Sequence, residues 1–185
     1  MRIRLFNLFM VVAILAFVTS SCKKPTGQAQ RDLEQELLKK YIAKYHSTLT
    51  PKPSGLYFME TKAAPTDTVL IKPGDLIKVF YQGYLIEEDD TAGIRDGYEF
   101  DNSGEFEPFS FTVGTGAVIT GWDEALTYMK EGSEAKLVIP SKLAYSGQMQ
   151  SSIPAYSPLV FYIRIYKVYR TTDKTTIIEK LPKKF

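Results

Sequence analysis

Four stretches of the chain alternate apolar and polar residues with a period of two, the pattern of strands that bury one face of a sheet. The longest of them covers residues 76–85. Strands with one buried and one exposed face are typical of antiparallel sheets. The predicted inward rows are Ile77, Val79, Tyr81, Gly83 and Leu85; Phe109, Phe111 and Val113; Ala135, Leu137 and Ile139; and Leu159, Phe161, Ile163 and Ile165.

Two segments follow a helical period instead. Apolar residues recur every four positions in residues 30–46, which predicts a helix that packs on its own domain by default, or on a second copy of the chain. Residues 122–130 predict one short helix among the strands. Together these patterns indicate an α+β fold, in which a curved antiparallel sheet wraps on the short helix and a helical extension precedes it. The recurring residues of the first helix are Leu33, Leu37, Tyr41 and Tyr45.

Residues 1–21 have the layout of a secretory signal peptide. Arg2 and Arg4 precede an apolar run over residues 5–18, which is shorter than the ~20 residues of a transmembrane helix. Cys22, the only cysteine, follows at the end of this signal. The segment therefore resembles a bacterial lipoprotein signal, whose cysteine is lipidated after cleavage. The alternative is a secreted protein whose single cysteine is unmodified.

The rest of the chain divides into a tether and helix over residues 22–54, a strand domain over 55–170 and a basic tail over 171–185. Removal of the signal peptide leaves 21 basic and 21 acidic residues, because two arginines leave with it. A formal net charge of zero argues against nucleic acid as a partner. We expect a lipid anchor in the cell envelope. Lys23 after the cysteine favours the outer membrane, with the protein facing the periplasm.

The strand domain lacks the side chains of most catalytic sites. His46, the only histidine, lies near the end of the first predicted helix, where we expect it on the surface. A nucleophile–histidine pair or a His/Cys metal site is therefore not available, and we expect neither metal nor cofactor. Glu99 and Asp101, two apart on a predicted strand, point the same way, but nothing indicates a sugar cleft between them. The acidic residues 87–90 lack the spacing of a calcium loop and predict an exposed loop.

The only tryptophan, Trp122, stands at the first turn of the predicted short helix, after Val118, Ile119 and a glycine. An indole in this position can form a flat apolar floor that suits a ring-shaped apolar group such as a prolyl side chain. It can equally be ordinary core, and the pattern alone leaves both possibilities open.

Seven short motifs follow one another in the strand domain: VFYQG at 79–83, FD at 100–101, PF at 108–109, VITGW at 118–122, LAY at 143–145, IP at 153–154 and LVF at 159–161. In this order, over residues 55–169, they resemble the FK506-binding-protein (FKBP) family of peptidyl-prolyl cis-trans isomerases. With its signal and helical extension, the whole chain resembles a lipoprotein member. The resemblance implies proline-containing polypeptide substrates and assistance to the folding of exported proteins.

The resemblance also implies a role for each site residue. Trp122 would be the floor of a prolyl pocket, and the Ile119 N–H would hold a substrate carbonyl. Asp101 would meet the twisted amide and bond to the Tyr81 hydroxyl or a nearby basic group. Phe100 would lie beside the reacting bond, and the Tyr145 hydroxyl would bond to the substrate, with Ile153 flanking it. The implied walls are Tyr81, Phe109, Val118, Ile119 and Phe161.

The chain departs from the family pattern in its loops. Residues 86–98 form an acidic insertion that we expect to reshape one rim of the pocket. The loop over residues 102–107 is short and lacks the frequent arginine, the loop after Tyr145 has no histidine, and Ala155 replaces a proline. Substrate preference is therefore not carried over. The alternative function is a noncatalytic binding or chaperone module of a cell-envelope assembly, and any one of the aromatic residues taken alone could be plain core.

Overall fold

The alternating stretches form strands of one sheet in the computed structural model, which describes residues 27–170. The predicted signal peptide, the lipidation site Cys22 and the tail over residues 171–185 lie outside the described residues. In chain order the elements are α1 (Gly27–Tyr45), β1 (Tyr57–Lys62), β2 (Leu76–Asp89), β3 (Gly93–Asn102), β4 (Phe109–Thr112), α2 (Thr120–Leu126), β5 (Glu134–Ile139), a 3₁₀ helix (Ser141–Leu143) and β6 (Leu159–Tyr169).

The long strand β2 organises the sheet. It pairs with β6 along one edge, and along its other edge with β4 at its start and with β3 at its end. The strand order is β1–β5–β6–β2–β3, with β4 attached to β2, and every pairing between these strands is antiparallel. The predicted α+β fold, a curved antiparallel sheet with one short helix and a helical extension, is confirmed.

The inner face of the sheet packs on α2. Three α2 side chains, Trp122, Ala125 and Leu126, are buried in one cluster with the inward rows of β2, β4, β5 and β6. The helix is shorter than the predicted range 122–130 and begins two residues earlier. Backbone hydrogen bonds of the i→i−3 type satisfy the carbonyl groups at the end of the helix. The Met129 N–H, for example, donates to the Leu126 carbonyl at 3.0 Å. Lys130, four residues after the end of the helix, forms an isolated antiparallel bridge with Leu70.

The outer face of the sheet is partly covered by α1, so the extension packs on its own domain. The buried face of α1 is formed by Glu34, Leu38 and Tyr41, at i, i+4 and i+7. The predicted stripe is therefore partly wrong, because Leu33 and Tyr45 are 60% and 42% exposed. Glu34 places a carboxylate on the buried face one turn before Leu38. Its hydrogen-bond partner, Ser141, lies near the candidate site described below.

The acidic segment over residues 87–90 is largely exposed, as predicted, but residues 87–89 belong to a strand rather than to a loop. β2 continues to Asp89 and β3 begins at Gly93, so residues 86–98 extend a hairpin. Ile86 and Ile94 of this hairpin pack with Leu38 and Tyr41 of α1 in a second apolar cluster. Each fully buried side chain of this kind contributes roughly 1.5–3 kcal/mol. The insertion and the extension thus provide each other with apolar surface.

A polar network joins the same two elements. Asp96 of β3 accepts hydrogen bonds from the hydroxyls of Tyr41 and Tyr162, the latter at 2.6 Å, and from Lys136 at 3.4 Å. Burial acts to raise the pKa of Asp96, but the bonds from Tyr162 and Tyr41 and the charge of Lys136 outweigh it and hold the pKa below its usual value. His46 follows α1 beside this network. The sequence predicted His46 on the surface, but the residue is half-buried. Its ring packs near Tyr41 and Tyr45.

Candidate active site

An apolar pocket opens on the inner side of the sheet, beside the start of α2. It encloses about 190 Å³. Pockets for drug-sized ligands measure ~300–1,000 Å³, so this one fits a single group the size of a side chain. Its lining comes from β2, β3, β4, β6, α2 and the loops next to them. The lining residues are Tyr81, Phe100, Asp101, Phe109, Ala117, Val118, Ile119, Trp122, Tyr145 and Phe161.

Trp122 is nearly perpendicular to two neighbouring aromatic rings. The ring of Tyr81 is inclined at 84° to the indole and that of Phe161 at 85°, each with a centroid distance of 5.1 Å. Edge-to-face contacts of this kind are a favoured geometry of aromatic pairs and hold the rings in place. Phe111 packs against the indole at 6.0 Å, and Trp122 is only 3% exposed. The indole therefore belongs both to the core cluster and to the lining of the pocket.

A β-bulge brings Phe100 and Asp101 to the pocket together. Gly83 pairs with Asp101, but the next residue of β2, Tyr84, pairs with Glu99, so Phe100 is the extra residue. The bulge also separates Glu99 from Asp101, which were expected to point the same way. Glu99 accepts a bond from the Tyr84 hydroxyl at 2.7 Å, while Asp101 lines the pocket. The two carboxylates therefore serve different tyrosines.

Gly83 makes room for the rings, a role that the sequence analysis missed. A Cβ atom at this position would lie 2.7 Å from Phe161 Cε1 and 2.8 Å from Phe100 Cζ. These two rings meet edge to face at 5.5 Å directly over the glycine. A glycine within a strand often marks a close approach of this kind, so Gly83 was the signal in the sequence from which this role could have been predicted.

Asp101 has the partner that the sequence predicted. The Tyr81 hydroxyl donates to its carboxylate at 2.7 Å. Asp101 itself is exposed at the pocket rim rather than buried, so solvent and substrate can reach its carboxylate. Burial, then the hydrogen bond to Asp101 and its negative charge, raises the pKa of Tyr81 well above its ordinary value. Tyr81 therefore stays protonated at neutral pH and keeps donating to the carboxylate.

Three hydrogen-bond donors of the pocket lining have no partner within residues 27–170. The Tyr145 hydroxyl and the Ile119 backbone N–H have no hydrogen-bond partner among these residues. Burial, followed by the charge of Asp101, raises the pKa of Tyr145, which keeps its hydroxyl protonated. The Trp122 Nε1 atom is also buried without a partner in this part of the chain. An apolar pocket with free donors at its edge can bind a ring and the carbonyl groups next to it.

The structure brings together every predicted pocket residue except Ile153. Ile153 is buried in the core cluster and is not part of the lining. Ala117 belongs to the lining and was not predicted. None of residues 86–98, which were expected to reshape the rim, lines the pocket, and Ile86 and Ile94 pack on α1 instead.

A larger groove, of about 580 Å³, lies beside the loop that follows β3. Its lining is mainly polar and includes Gln82, Glu99, Asn102, Glu134 and Arg164. Ligand sites are mostly apolar with a few convergent polar groups, so the smaller pocket at Trp122 is the better candidate.

Comparisons with known proteins find relatives over the part of the chain that contains the pocket. A family model described as "FKBP-type peptidyl-prolyl cis-trans isomerase" matches residues 68–166, a range that contains every residue of the pocket lining. The chain is 40% identical over 104 residues to human "Peptidyl-prolyl cis-trans isomerase FKBP2", covering 55% of this chain and 67% of that one. It is 41% identical over 81 residues to the "FK506-binding protein" of Neisseria meningitidis serogroup C, covering 43% of this chain and 74% of that one.

The fold is similar to that of a solved structure. A peptidyl-prolyl cis-trans isomerase from Pseudomonas syringae pv. tomato matches with a TM-score of 0.63 and 26% identity, covering 80% of this chain and 99% of that chain. The FK506-binding protein 2 of Debaryomyces hansenii is 44% identical over 98 residues, which are 52% of this chain and 66% of that one. The matched region thus spans about two thirds of the yeast and human relatives.

Proposed function

The chain belongs to the family of FKBP-type peptidyl-prolyl cis-trans isomerases, and we propose that the Trp122 pocket is where it rotates X–Pro bonds. Rotation about a peptide bond meets a barrier of ~18–20 kcal/mol and takes tens to hundreds of seconds without a catalyst. No covalent bond breaks, so the reaction needs neither a nucleophile nor a leaving group. The protein has only to bind the twisted amide more strongly than the planar one.

The apolar walls favour the twisted amide. In the planar amide, resonance separates charge between oxygen and nitrogen, and twisting removes that resonance and makes the group less polar. A pocket that excludes water therefore disfavours the planar form relative to the twisted one. In this proposal the prolyl ring lies on the Trp122 indole between Tyr81 and Phe161, and Phe100 lies beside the rotating bond. Phe109, Val118 and Ile119 complete the apolar enclosure.

The polar groups at the rim hold the rest of the substrate. The Ile119 N–H and the Tyr145 hydroxyl, which have no partner within residues 27–170, donate to substrate carbonyls and fix the peptide on one side of the prolyl bond. Asp101, held by the Tyr81 hydroxyl at 2.7 Å, faces the amide as it twists. Preorganised groups of this kind lower a barrier because they need no rearrangement during the reaction.

One observation carries this proposal: a buried indole, nearly perpendicular to the rings of Tyr81 and Phe161, lines a side-chain-sized cavity together with them. The test is a cis-trans assay on short proline peptides with the wild type, Asp101→Ala and Trp122→Ala. Asp90→Ala is the matched control, since it removes the same charge from the turn of the hairpin.

We expect Asp101→Ala to lower kcat/KM at least tenfold, since hydrogen bonds to charged groups contribute ~1.5–3 kcal/mol. Trp122→Ala should lower kcat/KM further, and Asp90→Ala should match the wild type. Circular dichroism checks that each variant is folded. Equal, background-level rates in the wild type and all variants would contradict the proposal and favour a noncatalytic binding module.

We also propose that the protein acts at the cell envelope on exported, proline-containing polypeptides and assists their folding. The sequence of residues 1–22 supports a cleaved signal and a lipid on Cys22 that anchors the protein in the outer membrane, facing the periplasm. Within residues 27–170, no helix has the length and apolar character to cross a membrane. Cys22→Ser should move the protein from the membrane to the soluble fraction of cells, and retention in the membrane would argue against the anchor.

A further inference from the structure

The α1 helix carries a buried carboxylate that reaches toward the active-site side of the domain. Glu34 is 5% exposed, and its two oxygens accept bonds from the Ser141 backbone N–H at 2.6 Å and from the Ser141 hydroxyl at 2.7 Å. Burying an ionised carboxylate is unfavourable unless it is fully hydrogen-bonded. A leucine in place of Glu34 would avoid that cost but leave the Ser141 N–H unpaired. The bonds between Glu34 and Ser141 therefore fix the position of Ser141 relative to α1 rather than simply filling space.

Ser141 is in turn hydrogen-bonded to the backbone next to Tyr145. Its carbonyl accepts the backbone N–H groups of Ala144 and Ser146, both at 2.8 Å. Ala144 and Ser146 are the residues on either side of Tyr145, whose side chain lines the pocket. The chain of contacts therefore starts at the Glu34 carboxylate, which is bonded by the N–H and hydroxyl of Ser141. It continues from the Ser141 carbonyl to the backbone on each side of Tyr145.

A second contact from α1 reaches the far end of the same loop. The guanidinium of Arg31 lies 5.6 Å from the ring centroid of Tyr156, with its Nη1 atom 3.5 Å from the tyrosine hydroxyl. The Tyr156 N–H in turn donates to the Ser146 carbonyl at 2.7 Å. Arg31 and Glu34 lie three residues apart on the helix and hold the loop at both ends.

We propose that α1 is a strut for the active-site loop, and that Glu34 is a positioning residue that holds the Tyr145 hydroxyl where it meets the substrate. The helix lies outside the range 68–166 that matches the family model. The inference rests on the proposed role of Tyr145. A purely stabilising helix would lower the unfolding temperature when weakened but would act on no particular pocket group.

A double-mutant cycle separates the two roles. Glu34→Ala and Tyr145→Phe are made singly and together, and kcat/KM for a proline peptide is measured well below the unfolding temperature of every variant. Tyr145→Phe should lower kcat/KM about three- to tenfold, the effect of one hydrogen bond. Glu34→Ala should cause a loss of similar size in the wild-type background and less than about a twofold loss in the Tyr145→Phe background. In an Asp101→Ala background, Glu34→Ala should keep its full effect.

Glu36→Ala is the matched control. Glu36 lies on the same helix and has the same charge, but its side chain is 62% exposed and pairs with Lys40, so kcat/KM should be unchanged. Ser141→Ala, which keeps the backbone bond to Glu34, is the milder variant and decides the question if Glu34→Ala does not fold. It should show a smaller loss that also disappears in the Tyr145→Phe background.

The outcomes distinguish this inference from the proposed function. If Glu34→Ala lowers kcat/KM by the same factor with and without Tyr145→Phe, the positioning role is overturned, and no loss at all overturns it too. If Tyr145→Phe alone matches the wild type while Asp101→Ala is slow, the proposed function survives and the strut inference fails. If the wild type itself shows only the background rate, both fail.

Discussion

At the scale of single residues, the shape of the pocket depends on an atom that Gly83 lacks. The rings of Phe100 and Phe161 lie where a Cβ atom on Gly83 would be, at 2.8 and 2.7 Å. Added atoms in a well-packed site force neighbouring side chains to move and cost typically ~1–3 kcal/mol. Here the side chains that must move are two walls of the proposed site.

Gly83→Ala should therefore lower kcat/KM as well as stability. We expect a loss of ~1–3 kcal/mol in the free energy of unfolding, measured with urea, and at least about a threefold loss in kcat/KM. Gly93→Ala is the control. Gly93 has φ +67° in the hairpin turn, so alanine strains the backbone there and lowers stability without touching the pocket. Unchanged kcat/KM in Gly83→Ala would contradict this account of the pocket.

Several pocket residues could be predicted from the sequence, but their geometry could not. Tyr81, Phe109 and Phe161 stand on inward strand positions, and Trp122 lies in the first turn of the short helix. The bulge at Phe100 shifts the alternation by one residue, so the directions of Glu99 and Asp101 depend on strand pairing that no local pattern shows. Ile153 was assigned to the site by motif order alone, and the loop that carries it buries its side chain in the core.

At the scale of elements, α1 and the end of the β2–β3 hairpin form a unit on the outer face of the sheet. The hairpin was predicted as a loop because its acidic residues dominate residues 87–90, although Ile86 and Ile94 carry the apolar surface that packs on α1. The helix itself was predicted from its period, within three residues at its start. The buried face of the helix could not be predicted, because Glu34 is buried through a bond to Ser141, 107 positions away.

His46 makes the packing of this unit sensitive to pH. Burial lowers the pKa of His46 below its ordinary value of 6.5, and the charge of Lys136 acts in the same direction, while Asp96 opposes both. The rings of Tyr41 and Tyr45 face the imidazole, and its Nε2 atom is buried with no partner among the described residues. The folded state thus favours the neutral ring. The resulting stability is present above about pH 6.5 and is lost as the pH falls through the folded-state pKa.

We expect the free energy of unfolding of the wild type to fall between about pH 7.5 and pH 5.5, the range around the ordinary pKa of histidine. The fall should be smaller in His46→Phe, which keeps an aromatic ring beside the two tyrosines. His46 is the only histidine of the chain, so no other side chain has an ordinary pKa in this range. Urea unfolding at the two pH values measures the difference. An equal fall in both proteins would show that His46 is not the group responsible.

At the scale of the whole molecule, the two faces of the sheet have different tasks. The inner face and α2 form the pocket, and the range that matches the family contains all of its lining. The outer face carries α1, which begins at Gly27, close in sequence to the proposed anchor at Cys22. The fold class could be predicted because strand period and motif order agree. The contact between α1 and the active-site loop could not, since it joins distant segments through one buried carboxylate.

The central claim is that a prolyl ring binds on the face of Trp122. Because Trp122 is the only tryptophan, all tryptophan fluorescence comes from this site. Titration with a short proline peptide should give a saturable change in tryptophan emission. The change should be absent with the same peptide carrying alanine for proline, and weakened in Asp101→Ala but not in Asp90→Ala. A wild-type protein that catalyses isomerisation while its tryptophan emission stays constant at saturating proline peptide would contradict the account.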